Sequence, residues 1–93
     1  MPLTPDVMLD VKLSAVCSRN QYTRDPGPVI DELHRMAGDR LDILARCVGI
    51  WAGYYRGEYT SVLADALLEI PGAAVWASVG RSRRSKTPHS TQT

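Results

Sequence analysis

The side chains best suited to chemistry in this chain are two thiols and two imidazoles, Cys17, Cys47, His34 and His89. A cysteine beside a histidine can act as a nucleophile, and a cluster of both can bind zinc. Cys47, however, lies in the most apolar segment, where burial disfavours the reactive thiolate. The four residues also lack the spacing typical of metal ligands. The sequence therefore predicts no enzyme, no metal site, no cofactor and no small-molecule substrate, and it predicts a solvated His34.

The spacing of the cysteines also bears on the compartment of the protein. Thirty residues separate Cys17 from Cys47, and a chain this short that relied on disulfides would contain more cysteines. We expect both thiols to be reduced and buried, with one disulfide between the first and third helices as the alternative. The first ten residues lack the basic start of a signal peptide, and no apolar run is as long as a membrane span. We therefore expect a cytoplasmic protein without a membrane partner.

A cluster of cations near the end of the sequence could contact phosphate groups. Its members are Arg81, Arg83, Arg84 and Lys86. They give residues 81–93 a charge of +4, whereas residues 1–80 contain seven basic and ten acidic residues, a charge of −3. Because no aromatic residue is interleaved for stacking on bases, any nucleic-acid binding would be weak and salt-dependent. The composition otherwise predicts a disordered, solvated tail over residues 81–93.

The most apolar segment must lie at the centre of the fold. Leu41–Tyr55 contains only two charged residues, Asp42 and Arg46, and as a helix it is apolar around most of its circumference. Such a helix must be surrounded by other elements. The sequence therefore predicts an all-α fold, a compact bundle of four to five short helices around this central helix. Residues 1–80 would form a single helical domain.

Capping residues place the first two helices. Thr4, followed by a proline, predicts the start of the first helix, although alternating apolar residues over 9–15 leave a strand as the competing interpretation. The second helix should begin near Pro28 and end at Gly38, which can adopt a positive φ. Asp39 can then cap the third helix.

Turn residues place the last two helices. Thr60 or Ser61 should cap a fourth helix, whose apolar residues recur as far as Ile70. A short fifth helix should run from Ala73 to about Val79 and end at the glycine that follows.

Two glycines on one face of the central helix indicate a close approach of another backbone. Gly49 and Gly53 are four residues apart, and glycine inside a helix costs about 1 kcal/mol relative to alanine. One interpretation is a close crossing within the chain, by the first or fifth helix. The other is a helix contact with a second copy or another protein.

Aromatic residues are concentrated in the second half of the chain. Most of them should belong to the core, but Tyr and Trp are also enriched in protein interfaces. The residues predicted to form an interface are Gly49, Gly53, Tyr54, Tyr55, Tyr59 and Trp76.

The segment from Val29 to Gly53 resembles a pattern in small all-helical proteins of actinobacteria and of their phages or mobile elements. The shared features are the Ala-Gly-Asp-Arg-Leu junction at residues 37–41 and the central helix rich in Ala and Gly. Some of these proteins also end, as this chain does, with a Trp, a Gly and an Arg-rich tail. The resemblance implies an all-α fold and a bacterial cytosolic setting, and it carries over no activity and no functional residue.

These patterns predict a non-enzymatic protein–protein interaction module that presents a helix face to a partner, which can be a second copy in a homodimer. The alternative is an accessory nucleic-acid-binding protein that uses the basic C-terminal tail. A helix-turn-helix is disfavoured, because the third helix is too apolar to serve as a recognition helix.

Overall fold

The computed structural model describes residues 3–56 and 60–85, and within these ranges it contains helices and no strand. The elements are α1 (Pro5–Arg19), α2 (Pro26–Ala37), α3 (Leu41–Arg56), α4 (Val62–Leu67), a 3-10 turn (Ala74–Trp76) and α5 (Ala77–Ser85). The predicted all-α bundle is confirmed, and the strand interpretation of residues 9–15 is wrong.

The N-terminus of α1 forms as its cap predicts. The Thr4 hydroxyl accepts a hydrogen bond from the backbone N–H of Val7 at 3.2 Å, and Pro5 occupies the first helical position. At the other end, the side chain of Asn20 donates to the carbonyl of Val16 at 2.8 Å. These contacts satisfy backbone groups that have no partner within the helix.

α2 begins two residues earlier than predicted. Asp25 caps it by accepting a hydrogen bond from the backbone N–H of Gly27 at 3.4 Å, so Pro26, and not Pro28, is the first helical residue. The predicted end is confirmed, because Gly38 follows the helix with a φ of 59°.

α3 begins at Leu41, so the residue directly before it is Arg40 and not the predicted cap Asp39. The carbonyl of Arg40 accepts the first helical hydrogen bond, from the backbone N–H of Leu44 at 3.2 Å. The guanidinium of Arg40 also forms an ion pair with the carboxylate of Asp6 in α1, with N and O 2.7 Å apart. This ion pair connects the starts of α1 and α3.

α3 is the central helix of the bundle, as predicted. It contacts each of the other helices of the described chain. Nine of its residues are buried: Ile43, Leu44, Ala45, Cys47, Val48, Gly49, Trp51, Ala52 and Gly53. Apolar residues of α1, α2 and α4 complete the core around them.

α4 is shorter than predicted. Of the two candidate caps, Ser61 forms the cap, because its hydroxyl accepts from the backbone N–H of Ala64 at 3.1 Å. The helix ends at Leu67, and tight turns carry the chain through Ile70, which is buried.

α5 is longer than predicted. It does not end at Gly80 but continues to Ser85, so the arginines of residues 81–84 are helical and do not belong to a disordered tail. Gly80 is buried against α3, where a Cβ would collide with the carbonyl of Ile50. Glycine at this position therefore permits close packing and does not end the helix. Residues 86–93, including Lys86, lie outside the described residues, and their disorder stays a prediction.

Candidate interaction groove

The backbones of α3 and α5 approach each other closely. A Cβ at Gly49 would collide with the carbonyl of Ala73, and a Cβ at Gly53 would collide with the carbonyl of Ala77. The backbone that approaches the two glycines is therefore that of the fifth helix of the same chain and of the turn before it. α5 and the turn before it cover Gly49 and Gly53, so the structure places both glycines inside a helix crossing of the chain and not on an exposed face.

A groove of about 610 Å³ lies between α1 and α5, with α3 as its floor. We call it the α1/α5 groove. α1 contributes Asp10 and Ser14 to its lining; α3 contributes Arg46, Cys47, Ile50, Trp51 and Tyr54; and the 3-10 turn and α5 contribute Trp76, Val79 and Arg83. The α3 residues recur at helical spacing, which places them on the side of α3 that faces the groove.

Two aromatic rings offer surface to a partner in this groove. Tyr54 is 38% exposed and Trp76 is half-buried, and both line the groove. Trp51 is buried: its ring stacks on that of Tyr55 with the centroids 4.2 Å apart, and its indole N–H donates to the hydroxyl of Ser18 at 3.3 Å. The Tyr54 ring also packs edge-on against Tyr55, with the centroids 5.7 Å apart. The groove therefore brings together two of the predicted interface residues, Tyr54 and Trp76.

The other two tyrosines of the predicted interface have different positions. Tyr55 is partly buried and packs against the core. Tyr59 lies outside the described residues.

The polar groups on the α1 side of the groove already contact one another. A carboxylate oxygen of Asp10 lies 3.8 Å from the guanidinium of Arg46, and the hydroxyl of Ser14 donates to Asp10 at 3.4 Å. The same hydroxyl lies 3.1 Å from the sulfur of Cys47. This side therefore has few polar groups left for a ligand.

Both cysteines are buried as free thiols. Burial raises the pKa of Cys47 to about 12 and likewise raises the pKa of Cys17 to about 12. Each thiol is therefore protonated at neutral pH, and Cys47 does not supply the thiolate that a nucleophile requires. His34 is exposed on α2, as predicted, and does not line the groove.

Three of the four cations predicted to contact phosphate groups, Arg81, Arg83 and Arg84, lie on α5. Successive helical residues are about 100° apart, so Arg83 projects from the side of α5 opposite Arg81, whereas Arg81 and Arg84 are three residues apart and lie on neighbouring positions. The side chain of Arg84 contacts α3: its guanidinium donates to the backbone carbonyl of Tyr54 at 3.3 Å and lies 5.1 Å from the centre of the Tyr54 ring. Of the three, only Arg83 lines the α1/α5 groove.

Apolar side chains also cover the outward face of α1, a feature that the sequence analysis missed. Val7, Met8 and Val11 are 43–56% exposed. The alternating pattern of residues 9–15 was the available signal, because in a helix such alternation places apolar residues on both faces. Val11 is three residues from Ser14 and thus beside the α1 side of the groove. Exposed apolar side chains therefore also lie on α1, beyond the polar residues Asp10 and Ser14 that line the groove.

Other kinds of site find no counterpart in the part of the chain that the structure describes. Residues 3–56 and 60–85 contain no group of three or more potential metal ligands. None of the helices described is long and apolar enough to cross a bilayer. No family model, curated protein or solved structure matches the chain, so the function has to follow from the chemistry of its surface.

Proposed function

We propose that the chain is a non-enzymatic protein–protein interaction module and that the α1/α5 groove binds a segment of its partner. The observation that carries this proposal is the pair of aromatic rings, Tyr54 and Trp76, that remain partly accessible in a groove whose floor includes the apolar side chains of Ile50 and Trp51. Tyrosine and tryptophan contribute much of the energy of protein interfaces, because each buries a large area and retains a polar atom for hydrogen bonding.

A protein partner suits this groove better than a small molecule. Small-molecule sites use a few convergent polar groups to orient the ligand. Here Asp10, Ser14 and Arg46 contact one another instead. Val7 and Val11 are exposed apolar side chains on α1 outside the groove, and only a partner larger than a small molecule could cover them as well.

Nucleic-acid binding through the tail has less support. Arg84 is engaged with Tyr54, and Arg81 and Arg83 project from different sides of α5. Residues 1–80 carry a charge of −3, which disfavours approach to a phosphate backbone. We therefore propose no second function.

The experiment selects ligands for the full chain from a displayed library of random peptides of about 16 residues, enough for about four helical turns. Enriched peptides are then measured against two variants of one chemistry. Val79→Gln alters the groove, whereas Val75→Gln alters a side chain that is 75% exposed and does not line the groove. Circular dichroism checks that both variants fold.

We expect a family of peptides whose affinity falls about tenfold in Val79→Gln and changes less than about twofold in Val75→Gln. If no enriched peptide depends on Val79, the proposed function is wrong.

A further inference from the structure

We propose that the occupant of the α1/α5 groove is an acidic amphipathic helix of a partner protein, whose carboxylate pairs with Arg83. This inference rests on the proposed function and identifies the chemistry of the partner. It starts from the charges that line the groove, which are those of Asp10, Arg46 and Arg83.

The guanidinium of Arg83 is an uncompensated positive charge in the lining of the groove. Asp10 lies 3.8 Å from Arg46 and offsets it. In residues 3–56 and 60–85, no carboxylate lies within ion-pair distance of Arg83. The adjacent Arg84 lies over the ring of Tyr54 and is not part of the groove lining, so it does not change this balance of charges. The lining contributed by α1, α3 and α5 together is therefore positive by one charge.

That charge determines what can bind. A neutral apolar segment would remove water from the guanidinium of Arg83 without replacing the lost hydrogen bonds, which is costly. A carboxylate restores those bonds and can accept two of them from the planar guanidinium. The surrounding rings and aliphatic side chains exclude water, which strengthens the pairing.

The positions of the charges indicate the spacing required of the partner. Ala73, before the 3-10 turn, lies against Gly49, and Ala77, the first residue of α5, lies against Gly53, so the chain leading into α5 advances in the same direction as α3. Arg83 is therefore at the end of the groove marked by Tyr54, and the Asp10–Arg46 pair is at the other end. Along α3 these ends are about 12 Å apart, about two helical turns.

A helix of the partner fits this arrangement. An amphipathic helix places apolar residues at positions i, i+3 or i+4, and i+7 along one face. One apolar side chain would lie against Ile50 and Trp76, between the two ends of the groove. A Glu or Asp three or four positions along the same helix would then reach Arg83.

The test uses the full chain and the peptides that depend on Val79. Their affinities are compared for the wild type, Arg83→Gln and the control Arg81→Gln, which removes the same charge from the same helix outside the groove. We expect the peptides to contain Asp or Glu three or four positions from an apolar anchor. We expect Arg83→Gln to weaken binding about fivefold or more and Arg81→Gln to change it less than about twofold.

A double-mutant cycle isolates the pairing itself. Replacing the acidic residue of the peptide by its amide should weaken binding to the wild type and cause little further loss in Arg83→Gln. Peptides that depend on Val79 but are indifferent to Arg83→Gln overturn the acidic partner and leave the proposed function in place. A chain that sediments as a dimer, and as a monomer once Val79→Gln is introduced, makes the occupant a second copy and also overturns it.

Discussion

The carbonyl oxygen of Ala77 occupies the space that a Cβ would take at Gly53. The two backbones are in contact at this point, so the packing of α5 on α3 depends on the absence of a side chain. This contact also fixes the α5 side of the groove, because Val79 and Arg83 follow Ala77 on the same helix.

Gly53→Ala should therefore destabilise the fold. A methyl group at this position forces α5 away from α3, and overpacking of this kind costs about 1–3 kcal/mol. Ala15→Val, which enlarges an exposed residue on the outward face of α1, should change the free energy of unfolding by no more than about 0.5 kcal/mol. Denaturant unfolding measures both. Equal stability of the two variants would show that α5 does not pack as described.

The cap of α4 gives a second prediction. The hydroxyl of Ser61 accepts from the backbone N–H of Ala64, whereas Thr60 is exposed and does not cap the helix. Ser61→Ala should reduce the free energy of unfolding by about 1 kcal/mol. Thr60→Ala is the matched control and should be close to neutral. A larger loss of unfolding free energy in Thr60→Ala than in Ser61→Ala would indicate that Thr60, and not Ser61, caps α4.

The buried thiols predict how stability depends on pH. Burial raises the pKa of Cys17 and of Cys47 from 9.0 to about 12. The unfolded chain therefore releases these protons near pH 9, while the folded chain keeps them up to about pH 12. Because the folded state binds more protons in this range, its stability falls as the pH rises from about 9 to about 12.

Cys47→Ser isolates the contribution of one thiol, because a hydroxyl does not titrate in this range. Each buried thiol should contribute a slope of up to about 1.4 kcal/mol per pH unit above pH 9. The variant should therefore lose stability less steeply than the wild type between pH 9 and the alkaline limit of unfolding measurements. If the stability of Cys47→Ser and that of the wild type fell equally steeply with pH, Cys47 would be accessible to water in the folded state.

Arg84 tests whether α5 continues past Gly80. Its guanidinium contacts both the carbonyl and the ring of Tyr54. Arg84→Ala should reduce the free energy of unfolding by about 0.5–1 kcal/mol, the range of an exposed cation–π contact. Arg81→Ala, at an exposed position on the same helix, should have little effect. Equal free energies of unfolding for Arg84→Ala and Arg81→Ala would indicate that α5 frays before Arg84.

The sequence was most informative where local chemistry decides the structure. Thr4 before a proline marks the start of α1, and the apolar circumference of Leu41–Tyr55 identifies the central helix, because both depend only on neighbouring residues. Gly80 was misread for the converse reason. A glycine before a basic run resembles a helix end, and only the position of α3 reveals that it permits close packing.

The groove could be predicted only in part. Tyr54 and Trp76 were identified from the tendency of aromatic residues to form interfaces, but their proximity depends on the crossing of α3 and the 3-10 turn. The contribution of α1 could not be foreseen, since Asp10 and Ser14 are more than thirty residues from the floor of the groove along the chain. Arg83 was assigned to a tail because the helical course of residues 81–85 was not expected.

Titration of the full chain with an enriched peptide, followed by NMR, tests the central claim most directly. The chain has two tryptophans, so the indole N–H signals of Trp51 and Trp76 can be assigned by a single substitution. We predict that the Trp76 indole and the backbone amides of Tyr54 and Val79 shift, while Tyr22, which is 84% exposed and does not line the groove, does not. Shifts that leave Trp76 and Val79 unchanged would contradict binding in the α1/α5 groove.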